Sequence, residues 1–183
     1  MKIVFTVLLL LGGYLQATAS EMYVSEESTI VLKNGKNIKV FLGTPVEIKK
    51  KSGKEAEVTV KGFQFENKLY SSKDKKLLLA VLDKNIKTKG KSTKEAAFTG
   101  SMAQAHLTAD FSEVWEEQQE FFFEMCTQCH AAPNVKHHSM TEWEALLGTM
   151  KGFAKIDEEE TASLLPYLQS NASDGLLKAV TKH

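Results

Sequence analysis

The stretch that most limits what this chain can become is Cys126-Thr127-Gln128-Cys129-His130, which holds both cysteines of the 183-residue sequence. Two thiols three positions apart can each add across one vinyl group of a haem. A histidine directly after the second is placed to bond the iron, and C-x-x-C-H is the c-type attachment spacing. A thioredoxin-like dithiol would need a parallel α/β unit around it, whereas the residues before Cys126 read as helix. A zinc site from Cys126, Cys129, His137 and His138 would ask two adjacent imidazoles, which point in different directions, to serve one tetrahedron. A disulfide across two intervening residues would be strained and would restrain almost nothing in the unfolded chain. One covalently attached haem c is therefore the expected cofactor, with Cys126, Cys129 and His130 binding it.

The start of the chain agrees on separate grounds. Met1 to Ser20 carries one lysine, Lys2, then an almost unbroken apolar run from Ile3 to Leu15, then small residues at Ala17 and Ala19. A positive start, an apolar core short of a bilayer span and small residues near the end predict a cleaved secretory signal over residues 1–19. The expected location is the periplasm, with no stable membrane anchor after cleavage. Because both cysteines lie in the motif, export does not serve a disulfide framework, and the haem attachment machinery must receive them reduced.

Residues 20–83 read as five or six short antiparallel strands. Thr29 to Lys33 and Asn37 to Leu42 flank Asn34-Gly35, a hairpin signal in which both central residues take positive φ. Val46 and Ile48 alternate with Glu47 and Lys49, and Val58 and Val60 with Thr59 and Lys61, so each strand has one dry and one wet face. Residues 84–107 hold many lysines, then Ala, Gly, Ser and Thr, and read as an interdomain linker.

Helices follow. Phe111, Val114, Trp115, Phe121 and Phe122 recur at helical spacing from Asp110 to Met125, with Thr108 or Asp110 as cap. Thr141 and Glu144 have capping-box spacing ahead of a face of Trp143, Leu146, Leu147 and Met150, which Gly152 can end. Asp157 and Glu160 repeat that spacing before Leu164, Leu165, Tyr167 and Leu168, where Pro166 should kink the helix. Trp115, Phe122, Trp143 and Leu147 are the expected apolar pocket. His130 is the expected proximal ligand. The sixth ligand decides the chemistry: a thioether raises the potential, a second imidazole lowers it, and an open position admits small ligands. The candidates are Met150, Met140, His137 and His138, with Met102 and Met125 behind them; Met150 is favoured, at the end of a helix whose same face carries Trp143.

Charge divides the chain. Ser20 to Thr99 holds 17 lysines and 10 acids, a net +7, while Gly100 to His183 holds 5 lysines and 13 acids, a net −8, and arginine is absent. Such fields steer partners more than they hold a fold. Nucleic acid is not an expected partner of an exported chain.

Cys126-x-x-Cys129-His130-x-x-Pro133, followed by Trp143, Met150 and Leu164-Leu165-Pro166-Tyr167-Leu168, resembles a monohaem domain of the class I cytochrome c type, which would occupy residues 108–183. The resemblance implies Met150 as distal ligand, so that His130 and Met150 bind the metal. Gly43-Thr44-Pro45-Val46 with the Ser52-Gly53 turn resembles a bacterial SH3-like domain. The expected fold class is thus α+β and multidomain, a small SH3-like β-barrel followed by an all-α cytochrome domain. The combination is similar to the carboxy-terminal haem domain of periplasmic cytochromes that donate electrons to molybdopterin-type trimethylamine N-oxide or sulfoxide reductases. It implies an electron carrier in anaerobic respiration, not an enzyme, with a periplasmic reductase and an upstream donor as partners. The rival expectation is a haem-based ligand-binding or sensing module with an open or labile sixth position.

Overall fold

Apolar alternation in the first half closes a barrel. The computed structural model describes residues 21–84, 86 and 93–177; the expected signal segment lies outside the described residues. The strands are β1 (Glu21–Val24), β2 (Ser28–Leu32), β3 (Asn37–Val40), β4 (Pro45–Ser52), β5 (Glu55–Phe65), β6 (Lys68–Tyr70), β7 (Leu78–Leu82), β8 (Lys94–Ala103) and β9 (Leu107–Thr108). They are ordered β6-β7-β3-β2-β8-β5-β4-β1-β9, and an extra β5–β6 pairing closes a six-stranded barrel with β4, β1 and β9 as an outer extension. β5 does this by sharing one edge, pairing first with β4 and then, from Phe63 to Phe65, with β6. Gly62 sits at the changeover, where a Cβ would lie 2.5 Å from the Tyr70 carbonyl oxygen. Only a residue without a side chain permits that approach.

The barrel core contains Ile30, Ile38, Val40, Val58, Val60, Leu69, Ala80, Leu82 and Met102. Val46 and Ile48 point inward as their alternation requires, but Thr59 is buried too, its hydroxyl 2.8 Å from that of Thr99 on β8. The first hairpin also departs from expectation: Gly35 alone takes positive φ, and Leu32 N–H donates to Lys36 O at 2.9 Å across a three-residue turn.

The segment 84–107 read as linker is strand for much of its length. β8 pairs with β5 over ten consecutive residue pairs, from Lys94↔Gln64 to Ala103↔Glu55. Its small residues are what the barrel needs, since a Cβ on Gly100 would meet the Val31 carbonyl oxygen at 2.4 Å. Low apolar content signalled an open chain, yet on an edge crowded by β2 small side chains are the ones that fit.

The helices are α1 (Phe111–Val114), α2 (Glu116–Cys126), α3 (Met140–Ala154) and α4 (Glu158–Asn171). Asp110 caps α1, accepting from Ser112 and Glu113 N–H, and Trp115 interrupts what the periodicity predicts as one helix. The capping box of α3 is Ser139 with Glu142, two residues before the expected pair, while Asp157 with Glu160 caps α4 as read. α3 runs past Gly152 and ends at Lys155, whose φ is 58°. α4 carries Pro166 within its length.

Barrel and helices share one core. Tyr23, Leu77 and Leu79 from the barrel side join Phe111, Val114, Trp115, Phe122, Trp143, Leu164 and Leu168. Tyr23 and Phe111 meet edge to face at 4.8 Å. Gly43, at φ 76°, lies flat under the Trp115 indole, so close that a Cβ would be 2.3 Å from a ring carbon. Trp115, expected in the pocket with Phe122, thus belongs to the joint between the two halves.

Candidate functional site: a thiol and imidazole rim on an apolar cleft

Cys126 is the last residue of α2, so the helix delivers the first thiol directly to the site. The thiol is half-buried, and burial raises its pKa above the usual range; Cys129 is exposed and both are free. Reactive dithiols sit at helix N-termini, where the dipole favours the thiolate. Here Cys126 meets the opposite end, and both burial and dipole favour the neutral thiol, which weighs against the redox-dithiol alternative. Zinc fares no better: among the described residues no three His, Cys, Asp or Glu side chains converge on a common point.

The His130 ring donates from Nδ1 to the Ala131 carbonyl oxygen at 2.9 Å. A carbonyl only accepts, so the proton is on Nδ1 and the Nε2 lone pair is left for a metal. The loop after it is held to α3 by Trp143, whose Nε1–H donates to Val135 O at 2.8 Å. The same indole stands edge to face with Phe122, ring centres 5.9 Å apart, and with His138 at 5.0 Å.

These elements enclose a cleft of about 310 Å³. Cys126, Cys129, His130 and Pro133 lie along one side, with Phe122, Leu164 and Leu168 behind them and Trp143, Leu147, Met150 and Phe153 from α3 across. Its walls are apolar yet open: Leu146 is 37%, Met150 41% and Phe153 77% exposed, three of the five large apolar side chains that the described chain leaves in water. A folded chain rarely leaves such side chains together unless something covers them. Two thiols and an imidazole on the rim of an apolar slot fit a covalently held haem, whose flat ring would cover these walls.

The cleft also sorts the ligand candidates. Met150 and His138 line it, and so does Met125. Met140 does not; it is buried at the barrel joint with its sulfur 3.8 Å from Ser71 Oγ. Met102 is in the barrel core, and His137 is exposed on a single 3-10 turn, Val135–His137, away from the lining. Phe153 was not foreseen. It follows Met150 by three positions and Leu146 by seven, the spacing of one helix face, but Gly152 signalled an end that α3 overruns.

Relatives point the same way. Over 81 residues, 44% of this chain and 21% of the relative, the sequence is 36% identical to cytochrome c-type protein TorC of Escherichia coli strain K12. The chain is similar to cytochrome c-type proteins. Cytochrome c-type protein TorY of Escherichia coli O157:H7 is 27% identical over 147 residues, 72% of this chain and 40% of that protein. The TorY protein of Haemophilus influenzae is 22% identical over 178 residues, 89% of this chain and 48% of its own length. The chain therefore spans less than half the length of each of these relatives. No protein-family model and no solved structure matches it.

Proposed function

We propose that this chain is a periplasmic c-type cytochrome with one haem, carrying single electrons to a terminal reductase of the molybdopterin N-oxide or S-oxide class. The observation that carries the reading is the placement of Cys126, Cys129 and His130 on the rim of a cleft whose far wall, α3, leaves Leu146, Met150 and Phe153 uncovered. When bound, haem supplies a one-electron ferric/ferrous couple. Cys126 and Cys129 would each form a thioether bond to it. His130, its tautomer set by Ala131 O, would give Nε2 to the iron, and Met150 would give its thioether sulfur. Phe122, Trp143, Leu147, Leu164 and Leu168 exclude water from the buried side, which favours the less charged reduced state, as does a sulfur ligand. The acidic charge of residues 100–183 would steer a partner with a basic docking face.

A second reading has one observation in its favour: Met150 is 41% exposed, so its hold on a metal could be broken by an incoming small ligand, as a sensing module requires. Expression with a haem attachment system, followed by intact mass and absorption spectra, tests both. The carrier reading expects the mass of one haem and a sulfur-to-ferric band that Met150→Ala abolishes. Bare polypeptide would overturn it, and prompt carbon monoxide binding by the reduced wild type would favour the sensor.

A further inference from the structure

The loop between β6 and β7 reaches out of the barrel and grips the start of α3. Leu77 is buried in the core shared with the helices, and it stands at φ 48°, a conformation in which a bulky residue is strained. Its backbone N–H donates to Gln169 Oε1 at 3.2 Å, and Gln169 Nε2 reaches the Met140 carbonyl oxygen at 3.5 Å. Gln169 is 6% exposed, a polar side chain on the buried side of α4, and its amide joins barrel to α3 in one span. Three further contacts converge on the same helix end. Ser71 Oγ touches Met140 Sδ, Lys76 pairs with Glu144, and Met140 N–H donates to Asp174 Oδ1 at 2.7 Å. The opposite end of α3 carries Met150 and Phe153 into the cleft. A fifteen-residue α-helix is stiff, so a shift at Met140 is transmitted to Met150.

We propose that Gln169 is a positioning residue for Met150: with Leu77 it fixes α3 against the barrel and so sets how firmly the Met150 sulfur would be held. This rests on the reading of Met150 as the sixth ligand. The barrel is then part of the redox apparatus, because the strained β6–β7 loop is the device through which α3 is aimed.

The test uses the full chain with its haem attached. Gln169→Leu removes both hydrogen bonds and should shift the reduction midpoint and speed carbon monoxide binding to the reduced protein about tenfold, within what the loss of two buried hydrogen bonds can supply. Gln169→Glu keeps the acceptor for Leu77 N–H and should recover part of the difference. Leu77→Gly, which relieves the φ but removes the anchor, gives an independent variant should Gln169→Leu fold poorly, and it should move both readouts in the same direction. Val58→Ala in the barrel core should lower the melting temperature while leaving the midpoint and the carbon monoxide rate of the wild type. Gln169→Leu and Leu77→Gly that lower the melting temperature as Val58→Ala does, with both readouts unmoved, would overturn the proposal while the ligand reading stands. A Met150→Ala spectrum identical to wild type would sink the ligand reading and this inference with it.

Discussion

The barrel core and the cleft are built from the same kinds of residue and end in opposite states. Ile30, Ile38, Val40, Val58 and Leu69 are completely excluded from water inside the barrel. Leu146, Met150 and Phe153 on α3 are as apolar and stand open. Every barrel strand finds its partner within the chain, and β5–β6 pairing closes the ring of strands around that core. The helices instead meet around a slot that their own side chains do not fill. The chain completes the first hydrophobic surface and leaves the second for an occupant, so the two halves should differ in what they need in order to be stable.

The largest expected effect follows from removing that occupant. Cys126→Ala with Cys129→Ala should abolish covalent haem, and hydrogen exchange should then show the helical amides losing on the order of a few kcal/mol of protection while β3, β5 and β8 keep theirs. Equal loss throughout would mean that the halves are not distinct in this respect. Next is a pair of truncations followed by urea unfolding. Ile38→Ala should cost about 2–5 kcal/mol with or without haem, as a filled core position does. Leu146→Ala should cost less than Ile38→Ala without haem, because its side chain is 37% exposed, and about 1–2 kcal/mol more once a ring covers it. A cost independent of haem would place Leu146 outside the binding surface.

The same contrast explains what the sequence disclosed. Alternation at Val46, Ile48, Val58 and Val60 and the turn at Gly35 made the strands legible, because each is a local consequence of period and φ. β8 was not, since its Ala, Gly, Ser and Thr residues are chosen for how closely β2 and β5 approach, a fact about neighbours far along the chain. Cys126, Cys129 and His130 were legible because attachment chemistry demands their spacing, and α3's face because Trp143, Leu147 and Met150 repeat with the helix. Trp115 was misread for a physical reason: it falls in step with Phe111 and Phe122, but the helix breaks at it and turns the indole onto Gly43. The joint itself had no local signature, as Gln169 and Leu77 are 92 residues apart.

That joint decides whether the comparison can be made cleanly. Gly43→Ala places a methyl group where the Trp115 ring already lies and forces a side chain to φ 76°, so it should lower stability by about 2–4 kcal/mol through strain and overpacking together. Because the damage is confined to the contact between the halves, denaturant curves read separately through barrel and helix signals should part into two transitions. Curves that stay superimposed would show that Leu77, Leu79 and Tyr23 hold the halves together without this contact.

Acid gives the smallest and most selective separation. Asp110 accepts from the Ser112 hydroxyl at 2.6 Å and from Ser112 N–H at 2.9 Å, and these bonds, the hydroxyl's first, hold its carboxyl below the ordinary value. Glu142 accepts from Ser139 N–H at 2.7 Å, and that bond, then the Ser139 hydroxyl, lowers it likewise. A carboxyl lower in the folded state binds fewer protons there than in the unfolded chain. Its contribution is therefore whole above the ordinary carboxylate range and is lost as pH falls through the lowered value. Asp110 caps the short α1 ahead of α2 and Glu142 completes the capping box of α3, which carries Met150, while in the barrel Glu47 is lowered by its hydrogen bonds to Lys49 and Lys61. Asp110→Asn and Glu142→Gln keep the hydrogen-bond acceptors but do not titrate. Together they should lower the melting of the helical signal slightly near neutral pH, by the contribution the carboxylates no longer make, and flatten its decline as pH falls below the ordinary carboxylate range. The barrel signal should keep its wild-type decline, because Glu47 is untouched. A decline that flattens equally in both signals would mean that the helix caps support the whole chain as one unit, and that the open cleft has no separate stability of its own.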